Sequence, residues 1–301
     1  KKNCKVRSCK KMKGIILAGG LGSRLHPLTK VVSKQLLTIY DKPMIYYPLS
    51  TLMLAGIKDI LIITTLKDNH LFKILLGDGS QLGINIEYAI QEKPSGLPEA
   101  FVIGENFIGN NKVCMILGDN IFHSDTFINK YLIPSFEKNI STIFGYYVNE
   151  PERYGVVELD DKNNILSIKE KPDSTKSNYA VTGLYVFDKN ASEIAKELSP
   201  SKRGETEIVD MLNHYLSNKM LKAELLGRGV TWLDTGTHKS LHDASSYIQV
   251  LEERQGLKIA CIEEIAYQKK YISKNQLRNL AEKLKNNDYG KYLLKVLNQN
   301  I

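Results

Sequence analysis

The chain has 301 residues, 43% of them hydrophobic and 25% charged, enough to bury one large α/β core or a core with an extension. Its net charge of +8 is uneven: Lys1, Lys2, Lys5, Arg7, Lys10 and Lys11 supply the excess without one acid, leaving +2 for everything after Lys11. A nearly balanced body argues against nucleic acid as a partner, and no run reaches the roughly 18 apolar residues of a membrane span, so neither nucleic acid nor membrane is expected.

Residues 1–11 lack the apolar segment of a secretory signal and read as a leader outside the fold, an upstream extension or an expression remnant. The expected location is the cytoplasm. Cys4 and Cys9 lie in the leader, Cys114 falls in an apolar run and Cys261 stands alone. That pattern is neither a disulfide framework nor a zinc spacing.

The first element is carried by "KGIILAGGLGSRL", residues 13–25. Its apolar run predicts a short buried strand, and Gly19, Gly20 and Gly22 predict a tight turn after it. Glycines let backbone N–H groups approach an anion, and Arg24 adds a planar fork suited to phosphate oxygens. Two familiar glycine loops are excluded. The dinucleotide fingerprint needs a third glycine where Leu25 stands, and no Gly-Lys-Ser or Gly-Lys-Thr of a P-loop occurs. Taken alone, the loop could also be a plain structural turn.

Onward, "DILIIT" (59–64), "INIEYAI" (84–90) and "VCMILGD" (113–119) predict strands, and 43–55, 69–76 and 98–107 predict helices between them. This alternation implies a Rossmann-like, mainly parallel α/β sheet covered on both faces. From residue 141 the texture changes. "STIFGYYV", "YGVVELD", "ILSIKEK" and "YAVTGLYVFD" are closely spaced strands that extend the same sheet as a mixed one. A catalytic domain over 12–237 is expected. After Thr237, Leu241, Ala244, Ile248 and Leu251 fall at helical spacing and 275–284 and 289–297 repeat the pattern, so 238–301 reads as a helical extension for packing or subunit contact.

Two carboxylates stand at turns after apolar strands: Asp119 in "ILGDN" and Asp234 in "VTWLDTGT". The ends of parallel strands are where open α/β sheets bind ligands. A pair of carboxylates shared with substrate phosphates suits Mg²⁺. Arg24, Lys34 in "SKQLL", Lys171 in "KEKP" and Arg203 in "SKRGETEI" are the basic residues that could converge on a phosphate-rich substrate, although each alone fits a solvated surface charge.

With "SKQLL", "YDKPMIYYPLS", "PERYGVVE", "KEKP", "RGETEI" and "WLDTGTH" added to the glycine loop, the chain from about Met12 onward resembles the glucose-1-phosphate thymidylyltransferases of the sugar nucleotidyltransferase superfamily. The resemblance implies the nucleotidyltransferase type of sheet and a homotetramer. It further implies transfer of a thymidylyl group from dTTP to glucose 1-phosphate with Mg²⁺, supplying dTDP-rhamnose or other deoxysugars. Leu17, Gly19, Gly20, Leu21, Gly22, Ser23 and Arg24 would then wrap the triphosphate with Lys34. Gln91 and Gly96 would read the base, and Asp119 and Asp234 would hold the metal. Gly155, Glu170, Lys171, Val181, Tyr185 and Arg203 would form the sugar-phosphate site. Arg24, Lys34 and Lys171 are the residues expected to carry the chemistry.

That chemistry requires no general base. A sugar phosphate is mostly a dianion at neutral pH, and none of the six histidines is placed as a base. His26 reads as a packing or hydrogen-bonding residue. The barrier is repulsion between anions, which metal and basic side chains relieve. A glutamine amide pairs with the imide edge of thymine or uracil alike, so use of UTP is an alternative. A noncatalytic nucleotide-sugar sensor and a dinucleotide-dependent oxidoreductase are the remaining ones. The chain departs from its relatives at Leu21, Ser23, Thr38, "EKPSGLPEA" and "NIFHSD"; the last neighbours the family's regulatory nucleotide site, which also uses the arginine matching Arg228.

Overall fold

The structure, a computed structural model, describes residues 12–202 and 204–298. The leader 1–11, with Cys4 and Cys9, and Arg203 lie outside the described residues.

In chain order the strands are β1 (Met12–Ala18), β2 (Thr38–Ile39), β3 (Lys42–Pro43), β4 (Asp59–Thr64), β5 (Asn85–Ile90), β6 (Lys112–Leu117), β7 (Asn120–His123), β8 (Ser141–Tyr147), β9 (Gly155–Leu159), β10 (Ile165–Glu170), β11 (Tyr179–Phe187), β12 (Leu221–Leu225) and β13 (Thr231–Asp234). The helices are α1 (Tyr46–Leu54), α2 (Asn69–Leu76), α3 (Glu99–Ile103), α4 (Glu105–Ile108), α5 (Ile133–Glu137), α6 (Ala191–Glu197), α7 (Ile208–Ser217), α8 (His238–Gln255), α9 (Ile262–Gln268), α10 (Lys274–Lys283) and α11 (Asp288–Asn298).

Nine strands form one sheet. Its parallel part runs β6-β1-β4-β5; β11 joins β6 antiparallel and brings in the antiparallel β9 and β10, while β8 pairs β11 and β12. The mixed extension expected after residue 141 is therefore continuous with the parallel half. Alternation of side chains along β1 explains the two-faced core. Ile15 and Leu17 enter one cluster with Phe101, Met211 and Tyr215, and Ile16 and Ala18 enter another with Leu49, Phe72 and Leu293. Each fully buried aliphatic side chain contributes about 1.5–3 kcal/mol.

Two helix expectations are corrected. The segment 43–55 becomes helical only at Tyr46, because Thr38–Ile39 and Lys42–Pro43 first form a small antiparallel hairpin. The segment 98–107 breaks at Gly104 into α3 and α4; Gly104 sits so close to the sheet that a Cβ would lie 3.0 Å from Ile15 Cδ1. Helix α9, unanticipated in sequence, is only seven residues long. The C-terminal helices α9–α11 place Ile265, Leu277 and Leu293 in the same cluster as α1 and α2, so they pack on the body of the molecule.

Helix α8 starts on a capping box formed by Thr237 and Ser240. It closes over the β2–β3 hairpin through Ile39, Met44, Ala244 and Ile248. A buried charge network reinforces this junction. Lys42 Nζ donates to Glu252 Oε1 at 2.8 Å and to Asp41, and Lys258 pairs with Asp41 and with Glu252 Oε2. Asp41 is held below its usual carboxylate pKa: burial acts to raise it, and the two lysines outweigh that.

Candidate active site

Strand register assembles the site. Leu17 of β1 pairs with Leu117 of β6, and Gly118 N–H donates to the Leu17 carbonyl at 2.9 Å. The glycine loop leaving β1 and Asp119 leaving β6 are thus side by side. Asp234 of β13 is the register partner of Asn120 of β7, which brings the second carboxylate to the first. Thr235 fastens this turn, its hydroxyl donating to the Asp119 carbonyl at 2.9 Å.

In the loop itself, Gly22 is left-handed at φ 62° and accepts from the Thr29 hydroxyl at 2.7 Å. Gly20 differs: a Cβ there would meet no protein atom within 4 Å, yet the residue lines two cavities. Its lack of a side chain leaves room for a ligand rather than for protein. Leu21 is 64% exposed, so the bulkier residue at this position lies at the mouth of the loop. His26, read as a packing or hydrogen-bonding residue, is exposed, which sets packing aside.

Lys34 is 6% exposed and its Nζ lies 2.5 Å from Asp119 Oδ2. Burial acts to raise the Asp119 pKa, but the charge and hydrogen bond of Lys34, with a bond from Asn120, carry it below the usual value. Asp234 moves the opposite way. Burial and then the Asp119 charge raise it, against Lys34, Arg24 and Arg153. Two carboxylates that repel each other in a half-buried corner form an all-oxygen donor pair, which fits a hard divalent cation. Among the described residues no group of three His, Cys, Asp or Glu forms a metal cage, so the remaining ligands would come from substrate or water.

Three adjoining cavities meet at Asp119, of about 540, 320 and 200 Å³. The 320 Å³ one is framed by Gly20, Leu21, Gly22, Ser23, Arg24 and Lys34. The 200 Å³ slot holds Leu17, Gly20, Gln91 and Gly96; Gly19 borders it, since a Cβ there would lie 2.4 Å from Gln91 Oε1. Gly96 has φ 109° and a Cβ on it would lie 1.9 Å from the Thr206 carbonyl, so only glycine fits where these two loops pair.

The 540 Å³ pocket contains Gly155, Glu170, Lys171, Val181 and Tyr185 together with Arg24, Asp119 and Asp234. Gly155 and Glu170 are cross-strand partners on β9 and β10, and Lys171 Nζ stands 3.4 Å from Glu170 Oε1. Lys171 is a non-glycine residue at φ 39°, a conformation costing about 1–3 kcal/mol that surrounding structure must enforce. Burial and the Glu170 charge raise the Tyr185 phenol pKa. The candidate residues inside the described segments therefore line these three cavities, which share Asp119, with Gly19 set behind Gln91.

Sequence reasoning missed several members. Asn120 donates to Asp119 Oδ1 at 3.0 Å and accepts from Gly183 N–H at 3.1 Å and from Trp232 Nε1 at 2.6 Å. Arg153, paired with Glu150 at 2.7 Å, projects its charge toward Asp234. Glu205 borders all three cavities. The available signals were adjacency to Asp119 and the only tryptophan of the chain, two residues before Asp234.

A mixed, mainly parallel sheet with a glycine loop and paired carboxylates at one edge is the architecture of a nucleotidyltransferase. The nucleotidyl transferase family profile matches residues 13–250. The chain is 55% identical over 286 residues to a Neisseria meningitidis glucose-1-phosphate thymidylyltransferase, covering 95% of this chain and 99% of that one. It is 50% identical over 293 residues to the enzyme of that name from Mycolicibacterium smegmatis, covering 96% and 100%. Among solved structures, a Bacillus anthracis protein assigned the same name and bound to sucrose superposes with a TM-score of 0.72 at 41% identity, over 78% of this chain and 94% of that one. A UDP-glucose pyrophosphorylase bound to UDP-glucose superposes with a TM-score of 0.71 at 25% identity, over 80% and 99%. The chain belongs to the nucleotidyl transferase family and, within it, to the glucose-1-phosphate thymidylyltransferases. No helix of the described residues is long and apolar enough to cross a membrane.

Proposed function

We propose that the protein transfers a thymidylyl group from dTTP to glucose 1-phosphate, releasing pyrophosphate and forming dTDP-glucose. The observation that carries this reading is the meeting of Lys34, Arg24, Asp119 and Asp234 between a narrow slot and a wide polar pocket. The slot takes the base against Gln91 and Gly96, the glycine loop takes the phosphates, and the wide pocket takes the sugar with Glu170 accepting from its hydroxyls.

The phosphate of glucose 1-phosphate is the nucleophile and arrives already deprotonated. Lys171 holds it and Arg24 and Lys34 hold the triphosphate, so the two anions are kept in line despite their repulsion. The buried setting of Lys34 strengthens its field at the α-phosphate. A divalent cation, read as Mg²⁺, would be held by Asp119 and Asp234 and would supply neutralisation of the phosphate charge. Gly155 leaves space for the sugar beside Glu170: a Cβ would stand 3.4 Å from Glu170 Oε2.

Pyrophosphate release with glucose 1-phosphate and Mg²⁺, compared across dTTP, UTP, CTP, ATP and GTP, tests the reading. Release led by dTTP and abolished in Asp119→Asn is expected. A lead by another nucleotide overturns the base assignment, and no release from folded protein overturns the enzyme.

A further inference from the structure

Gln91 is 5% exposed and tethered at the end of β5, its backbone N–H donating to the Thr64 carbonyl at 2.8 Å. Its side-chain Nε2 donates to Glu99 Oε2 at 2.6 Å and to the Gly96 carbonyl at 3.3 Å. Both partners can only accept, since a carboxylate and a carbonyl have no proton to give. The amide is therefore held one way round, with its N–H₂ group toward Glu99 and its carbonyl Oε1 against Gly19. Turning it over would set Oε1 against the Glu99 carboxylate and leave Nε2 without those two partners, the costly case for a buried amide.

We propose that Glu99 is a positioning residue for base selection: by holding the Gln91 amide, it makes the slot between Gly20 and Leu97 present an acceptor, which favours a pyrimidine carrying a ring N3–H over one with a bare N3. This rests on the reading of the slot as the base site. Thymine donates its N3–H to Oε1, whereas cytosine opposes Oε1 with the lone pair of its own N3. A glutamine free to rotate would accommodate both edges, so discrimination requires something that penalises the second orientation. The Glu99 carboxylate supplies that penalty from the first turn of α3, one layer behind the slot.

The test is Glu99→Gln in the full chain. This change keeps size and helix but allows the new amide to donate as well as accept, so Gln91 can rotate. The expected result is a fall of about tenfold in the dTTP over dCTP ratio of kcat/KM, within the range that one unsatisfied hydrogen-bonding group costs, with dCTP gaining while dTTP loses. Equal loss for both nucleotides would mean a merely structural role in α3 and overturn the proposal. Gln91→Ala separates the two layers. If it leaves the ratio unchanged, the slot is not the base site and both readings fall; if it lowers the ratio while Glu99→Gln does not, only the positioning role falls.

Discussion

The carboxylate corner and the Gln91 slot share Asp119 as a wall yet are built on opposite principles. The corner sets its two carboxylates apart: Lys34 outweighs burial at Asp119, whereas at Asp234 burial and the Asp119 charge outweigh Lys34, Arg24 and Arg153. The slot satisfies its polar side chain, with both Gln91 donor bonds filled. A strained pair of half-buried carboxylates is what a polyphosphate and its cation can complete, whereas an amide whose N–H₂ is held leaves one acceptor fixed in place to discriminate. Substitutions in the corner should therefore change rate for every nucleotide alike, and substitutions in the slot should change choice.

The largest effect is expected from Asp119→Asn. It removes one of the two carboxylates proposed to hold the cation and the Lys34 partner, and pyrophosphate release should fall by about 10³ with dTTP and dCTP equally. Lys34→Met comes next, with a loss of about 10² in kcat from the missing positive charge and an unchanged dTTP over dCTP ratio. A shift in that ratio in either variant would dissolve the division between the two regions. Gly19→Ala probes the boundary: its Cβ would strike Gln91 Oε1, so displacement of the amide should lower the ratio by about tenfold, as measured by competing nucleotides in one reaction.

The smallest effect belongs to Asp41→Asn, in the charge network remote from both. The folded-state pKa of Asp41 lies below the ordinary 3.8, so its contribution to stability is fully present above that value and is lost as pH falls through the lower folded value. Urea unfolding at neutral pH should show a cost of about 1 kcal/mol for the substitution, a difference that narrows as pH drops below about 4. Nucleotide choice should not move.

Much of the sheet was legible in sequence because its strands are short apolar runs ended by glycine, proline or acids. The glycine loop and the two aspartates were legible for the same reason, since each stands at the end of such a run. Helix ends were less so. Pro43 is compatible with a helix start but is used in a hairpin, and the break at Gly104 follows from how closely that backbone approaches Ile15. Asn120, Arg153 and Glu99 escaped because their residue types are ordinary surface types; what distinguishes them is a partner far along the chain, as when Trp232 donates to Asn120.

By itself the sequence determined the element types, the loop that no side chain obstructs, and the residue classes able to meet phosphate. Tertiary structure decided which of those residues share a space. The pairing of Leu17 with Leu117 and of Asp234 with Asn120 joins segments that local propensity cannot relate, because register is set by burial of whole strand faces. It also decided the signs of the pKa shifts at Asp119 and Asp234. Two aspartates of the same intrinsic acidity diverge because burial, which raises both, is outweighed by Lys34 at Asp119 and reinforced by the Asp119 charge at Asp234.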